Sequence, residues 1–328
     1  MSPRRRPGKR LVLTLLPVAG LPLLGVAAAS LYLAYAVTRP PTQAYILTPA
    51  NYTKISARAV QATEETWENA DGTRARGWLL RGAEGAPAVV LLHSYGSDRS
   101  SVLNLGVKLS EATNFTVLWP DLRGHGPGPL VSATTFGARE AEDLSAAIRF
   151  LRAQRTQQRP LVGRQIGLYG VELGGYAALL ASARAADGEQ PAALVLDSVP
   201  ASPDDLLHAA LRSRTGIEAG LVRAGVRLGA EAVLLGGYEN TPACDLAARV
   251  RSANVLLLTG EDAGYLRAST QALAQCFPAE ANVESKDGLP VTGLRVASST
   301  GVVGETYDLL VIDFYARTLR TEPEPASR

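Results

Sequence analysis

The hydrophobic pattern divides this chain into two unlike parts. From residue 11 to residue 37 no charged side chain occurs, a run of 27 residues, where about 20 suffice for a helix to cross a hydrocarbon layer. Pro17 and Pro22 fall inside the run, and spanning helices tolerate such kinks better than soluble ones. Arg39-Pro40-Pro41 closes it, and residues 38–54 read as a linker. Beyond residue 55, short apolar runs alternate with stretches of helical period. They predict strands at 55–67, 73–80, 87–93, 115–120, 165–171, 192–199, 254–259 and 293–298. The first two form an antiparallel pair that turns at Asn69-Ala70-Asp71-Gly72. The third to the seventh are near-continuous Val/Leu runs, as expected of strands buried on both faces of a parallel sheet. Helices are clearest at 135–154 and 174–186. This alternation predicts one α/β domain over 55–318, with a mostly parallel eight-stranded sheet and helices on both faces. The Leu-, Ala- and Gly-rich interval of about 201–235 exceeds a simple crossover and predicts a small helical cap. Residues 319–328 read as a C-terminal tail.

Composition narrows the class. The chain has 328 residues, 46% of them hydrophobic, enough for one large core or two small ones. Aromatic residues are only 6%, which argues against the stacking platforms of nucleic-acid binders. The formal charge of +2 hides an asymmetry. Arg4, Arg5, Arg6, Lys9 and Arg10 give the first ten residues +5, leaving 28 basic against 31 acidic side chains, or −3, for the rest. No polyanion-binding surface is expected from that balance. A cationic cluster before an apolar run predicts a cytoplasmic N-terminus and an extracytoplasmic main domain. The small residues Ala27-Ala28-Ala29 leave a cleaved signal peptide as the alternative. The apolar run continues past them through Leu31-Tyr32-Leu33-Ala34-Tyr35, which favours an uncleaved single-pass anchor. Cys244 and Cys276 are the only cysteines. On the helices flanking the 254–259 strand they can form a disulfide in an exported domain, or remain two buried thiols.

The chemistry-bearing motif is Gly170-Val171-Glu172-Leu173-Gly174-Gly175, between an apolar strand and a helix. It has the form of a G-x-S-x-G nucleophile elbow with Glu in place of Ser. Upstream, Val89-Val90-Leu91-Leu92-His93-Ser94-Tyr95-Gly96 matches a strand leading into an HGxG oxyanion loop, with Ser94 replacing a glycine. Pro120-Asp121-Leu122-Arg123-Gly124-His125-Gly126 matches a D-x-R-G-H-G loop, and the helix opening Phe136-Gly137-Ala138-Arg139-Glu140-Ala141-Glu142-Asp143 follows it. Leu194-Val195-Leu196-Asp197-Ser198 fits the next strand. With these five segments in order, the chain resembles the α/β-hydrolase superfamily over about residues 55–318. The likeness is strongest to its bacterial esterase and serine-aminopeptidase-like branch.

That resemblance implies a Ser, an Asp or Glu and a His in chain order, with two backbone N–H groups stabilising an oxyanion. The nucleophile position is Glu172. The acid position after the seventh strand, within Thr259-Gly260-Glu261-Asp262-Ala263, is Ala263, with Asp262 one residue early. The histidine position, within Ser298-Ser299-Thr300-Gly301-Val302-Val303-Gly304, is Val303. The three histidines, His93, His125 and His208, all precede the acid loop. His93 and His125 stand where the family shapes its loops, and His208 lies in the expected cap. His93, Ser94, Tyr95 and Leu173 would line the pocket and the oxyanion loop.

A carboxylate at the elbow has precedent in haloalkane dehalogenases and epoxide hydrolases, which carry Asp there and use a histidine to hydrolyse the resulting ester. Here that histidine position is Val303, and Glu is one methylene longer than Asp. At the start of a helix Glu172 is expected to be ionised and to accept the vacated oxyanion-hole donors. The sequence therefore predicts a membrane-anchored fold without a working triad that binds a small apolar ligand or a protein partner. The alternatives are an active esterase- or peptidase-like hydrolase using non-standard residues, or carboxylate chemistry at Glu172. The acidic helix residues Glu140, Glu142 and Asp143 match the family's surface helix and not a metal site. With no CxxC pair, HExxH or phosphate loop, no metal, cofactor or nucleic acid is expected.

Overall fold

The structure, a computed structural model, describes residues 8–55, 60–157, 159–186, 188–251, 254–298 and 301–320; at 8–20, 22–23, 55 and 298 it describes the backbone only. The expected basic N-terminus falls largely outside the described residues, as does most of the tail.

Eight strands form one sheet: β1 (Ala62–Glu68), β2 (Arg74–Leu80), β3 (Ala86–Leu92), β4 (Thr116–Pro120), β5 (Val162–Val171), β6 (Ala193–Asp197), β7 (Asn254–Gly260) and β8 (Asn282–Leu289). Their spatial order is β1-β2-β4-β3-β5-β6-β7-β8. The β1–β2 and β2–β4 pairs are antiparallel and all other pairs are parallel. Side chains alternate between the two faces of each strand, and each face is covered. On one side α4 (Ala138–Ala153) and α5 (Leu173–Arg184) bury Leu144, Leu151, Tyr176 and Leu179 over Val90, Leu168 and Leu196. On the other, α3 (Leu103–Thr113) and α10 (Val302–Thr318) bury Leu103, Leu109, Val311 and Phe314 over Val89, Leu91 and Val195. A fully buried Leu or Val contributes about 1.5–3 kcal/mol, so these two layers dominate the stability of the fold.

Two strand boundaries differ from the sequence expectation. The last strand is Asn282–Leu289 rather than 293–298, which is a turn followed by a one-turn 3-10 helix, Val296–Ser298. β8 is an edge strand, mostly exposed and carrying Glu284, Lys286 and Asp287. Charged edges guard against unwanted strand pairing, and they also remove the apolar signal by which a strand is recognised. At the start, β1 begins at Ala62, preceded by the short helix α2 (Pro49–Ile55).

The cap interval holds two helices. α6 (Pro203–Thr215) opens on a capping box in which the Ser202 backbone N–H donates to Asp205 Oδ2 at 2.9 Å. α7 (Gly220–Val233) follows. The N-terminal apolar run forms the helix α1 (Gly8–Val37). Among the described residues no helix is long and apolar enough to cross a membrane; much of the expected anchor, 11–37, lies where only the backbone is described.

The segment after α1 is not a free linker. Thr38 is buried, and its carbonyl accepts the Thr134 N–H at 2.8 Å. The Val37 carbonyl accepts Tyr95 OH at 2.7 Å, and Tyr45 OH donates to Asp121 at 2.6 Å. Cys244, on the short helix α8 (Ala243–Ala247), and Cys276, beyond α9 (Leu266–Leu273), form a disulfide with their Cα atoms 5.2 Å apart. It clips the elements on either side of β7.

Candidate functional site

The elbow forms where the glycines require it. β5 ends at Val171 and α5 starts at Leu173, so Glu172 alone makes the turn, at φ 51° and ψ −107°. Positive φ is uncommon outside glycine and costs on the order of 1–3 kcal/mol. Close packing holds it: a Cβ on Gly174 would come within 2.7 Å of the carbonyls of Leu92 and His93. The Glu172 N–H donates to the Asp197 carbonyl at 2.9 Å, and its own carbonyl accepts the Tyr176 N–H at 2.9 Å.

The side chain of Glu172 reaches the oxyanion loop. Its Oε2 accepts the Tyr95 backbone N–H at 2.9 Å, and the side chain does not cap α5. Burial pushes the carboxyl up to about 7, and the Tyr95 N–H opposes that shift only in part. The sequence expectation of an ionised Glu172 is therefore corrected: desolvation brings the group up to neutrality, against the single Tyr95 N–H. Tyr95 stacks on Phe136, with ring centroids 5.7 Å apart, and meets His125 edge-on. Its phenol is pushed up to about 12, by burial first. Tyr265 also lies within reach of the Glu172 charge, and its phenol is raised by burial and then by that charge.

The histidines hold loops. His93 is fully buried; its Nδ1 lies 2.9 Å from the Ser94 carbonyl and its Nε2 accepts the Leu122 N–H at 3.1 Å. Burial lowers its pKa. His125 Nδ1 lies 2.9 Å from the Arg123 carbonyl, and burial lowers this ring to about 3. The surrounding D-x-R-G-H-G residues are structural. Arg123 clamps Asp143 through two hydrogen bonds, and Asp121 accepts from Arg76 and Tyr45. In the cap, His208 Nδ1 meets Arg223 at 3.0 Å. His208, Asp205, Arg212, Arg223 and Tyr265 line a surface cavity of about 260 Å³.

Asp262 and Ala263 sit on a one-turn 3-10 helix, Glu261–Ala263, after β7. Ala263 is buried, whereas Asp262 Oδ2 accepts the Thr292 N–H at 3.1 Å. Burial raises Asp197, and the negative charge of Asp262 adds to that shift. Val303 lies in the first turn of α10, exposed to solvent. Glu172, Tyr95 and the loop after His93 are thus brought together, whereas Asp262 and Val303 are drawn to other surroundings.

Sequence reasoning missed a second polar centre on the opposite face of the sheet. Asp197, fully buried at the end of β6, accepts Ser198 Oγ at 2.7 Å, the Gly293 N–H at 2.6 Å and the Tyr307 hydroxyl. Tyr307 OH in turn lies 2.7 Å from Tyr169 OH. Burial is the main reason that Asp197 is raised to about 6. The sequence signal was a charged residue directly after five apolar ones, Ala192 to Leu196.

Among the described residues no group of three or more His, Cys, Asp or Glu is placed to hold a metal ion. No protein-family model matches the chain, and none of the curated proteins matches it in sequence. Solved structures do match. An esterase of Pyrococcus furiosus superposes with a TM-score of 0.65 at 18% identity, covering 86% of this chain and 98% of the esterase. A dienelactone hydrolase from Anabaena variabilis gives 0.53 at 17% identity, over 79% and 100% of the two chains. The enol-lactonase from Burkholderia xenovorans gives 0.51 at 16%, over 76% and 99%. With this strand order, an elbow between β5 and α5, and these neighbours, the protein has the α/β-hydrolase fold.

Proposed function

We propose that this chain is a membrane-anchored α/β-hydrolase-fold protein that binds rather than hydrolyses. The observation that carries this reading is the 2.9 Å hydrogen bond from the Tyr95 N–H to Glu172 Oε2. In a serine hydrolase, a backbone donor of that loop faces the oxygen that becomes negative in the transition state. Here a carboxyl group of the protein itself takes that donor. A developing oxyanion would meet an occupied donor and, above neutral pH, a fixed negative charge.

Attack by Glu172 itself would leave an ester, and among the described residues the three histidines are engaged elsewhere, His208 with Arg223 in the cap. His93 and His125 are buried in loop-holding hydrogen bonds with depressed basicity. The three neighbouring enzymes suggest a history of ester and lactone hydrolysis, and only the scaffold is carried over from them.

Support for the anchor comes from the uncharged run 11–37, the five preceding cations and the 30-residue helix α1. The Cys244–Cys276 disulfide fits an extracytoplasmic domain. The proposed binding face is the cap, with its small cavity beside His208 and Tyr265.

The test is fluorophosphonate labelling and a chromogenic ester panel on the full-length protein. No adduct and no turnover above the blank are expected. Ester turnover that disappears in Glu172→Gln would sink the non-catalytic reading.

A further inference from the structure

Two small-residue pairs lock α7 against α1. A Cβ on Gly229 would come 2.8 Å from Ala34 Cβ and 3.0 Å from the Ser30 carbonyl, and one on Gly225 would strike the Ser30 side chain. Gly225 and Gly229 are four residues apart, as are Ser30 and Ala34, so small residues at this spacing let the backbones approach closely. The order of these contacts also gives the direction. Moving from Ser30 to Ala34 along α1 corresponds to moving from Gly225 to Gly229 along α7, so the helices run in the same sense. Leu221, four residues before Gly225, is therefore level with about Val26, four residues before Ser30.

The faces of α7 are sharply divided. Val226 and Ala230 point into the core, and Arg223, Arg227 and Glu231 form a polar side. Beside the α1 seam runs a third stripe, Leu221, Ala224, Leu228 and Ala232, at helical spacing and open to solvent. Leu221 is 79% and Leu228 66% exposed. On α1, Leu24 and Leu31, seven residues apart and so on one side of the helix, are exposed as well.

Chain length sets the height of this surface. Ser30, Ala34 and Val37 are buried against the domain, so they are not available to lipid. The uncharged stretch that remains, residues 11–29, has 19 residues, or about 28 Å of helix at about 1.5 Å per residue, against a hydrocarbon core of about 30 Å. A bilayer crossed by that stretch ends near Ala29. Tyr32 and Tyr35, both exposed, follow just beyond this level, where aromatic residues favour the interface. Leu221, level with Val26, falls a few ångström below it, within the depth of about 5–10 Å reached by interfacial helices. By the same register Arg223, which lines the cap cavity, is level with about Ala28 at the boundary itself, and Leu228 is level with about Leu33, about 6 Å beyond it.

We propose that the N-terminal tip of α7 is seated in the interfacial layer of the bilayer, with Leu221 among the lipid chains, Leu228 at the level of the headgroups and the cap cavity opening towards them. This rests on the reading of α1 as the anchor. The occupant of the apolar stripe is the lipid surface.

The experiment uses full-length protein reconstituted into vesicles of phosphatidylcholine and phosphatidylglycerol. The native cysteines are paired, so Leu221→Cys and Leu228→Cys each offer one thiol for an environment-sensitive NBD label. Arg155→Cys, in the short hairpin between α4 and the start of β5, is the control. The label at position 221 is expected to emit blue-shifted and to be quenched at least three-fold more strongly than the control by lipids with a shallow acyl-chain nitroxide, and the label at position 228 to be quenched at least three-fold more strongly than the control by lipids with a headgroup nitroxide. Water-like emission and control-level quenching at position 221, in protein retained through an alkaline carbonate wash, would overturn the proposal while leaving the anchor standing. Release of the protein by carbonate would refute the anchor reading and the lipid contact with it.

Discussion

Glu172 and Tyr95 are joined across the mouth of the elbow, carboxyl oxygen to backbone N–H at 2.9 Å. One residue supplies what a substrate oxygen would otherwise supply, and it does so from a strained turn that only tight packing maintains.

Replacing Glu172 with serine alone is expected to leave the protein inert. The hydroxyl would return, but no described histidine is placed to remove its proton, and an unassisted serine gains little. Ester hydrolysis by Glu172→Ser within a few-fold of the wild-type blank is the expected result, measured with the same chromogenic panel.

Glu172 also makes stability depend on pH. Its folded pKa is raised from 4.5 to about 7, so the folded state holds the proton more tightly than the unfolded state. The associated stabilisation is fully present below about pH 4.5 and is lost as pH rises through 7. Thermal melts should show the wild type losing about 1–3 kcal/mol relative to Glu172→Gln between pH 5 and 8. Parallel pH profiles for the two proteins would contradict the burial of this group.

Tyr307→Phe removes the hydroxyl donor from buried Asp197 and leaves Tyr169 OH without that partner. A loss of about 1–3 kcal/mol in urea unfolding is expected. Tyr265→Phe, which removes a hydroxyl without a partner of this kind, should cost less.

The disulfide closes a loop of 32 residues. Cys244→Ser with Cys276→Ser should lower stability by about 3–4 kcal/mol, read as a lower urea midpoint that reductant does not change further.

The elbow and the central strands were legible because their signals are local. Gly170, Gly174 and Gly175 declare a close crossing of strand and helix, and the Val/Leu runs of β3 to β7 declare burial on both faces. β8 was not legible, because Glu284, Lys286 and Asp287 give an edge strand the composition of a loop. The Asp197 centre was hidden for a different reason: Tyr307 is 110 residues away in the chain, and nothing in a helical heptad reveals which distant carboxylate its tyrosine will meet. The ionisation of Glu172 was misjudged because a helix terminus is visible in sequence, whereas desolvation depends on what the fold stacks above it. The docking of Thr38 on Thr134 escaped notice because a segment with Pro40 and Pro41 reads as a spacer.

That docking has a mechanical consequence. A domain on a slack tether would swivel and sample a hemisphere around its attachment point. Here the exit of α1 is gripped at Val37 by Tyr95 and at Thr38 by Thr134, and the seam with α7 adds a second line of contact. The helix and the domain turn as one body, like a post and the sign fixed to it. The same contacts tie the orientation of α1 to the loop that carries Tyr95, and so to the carboxyl group of Glu172.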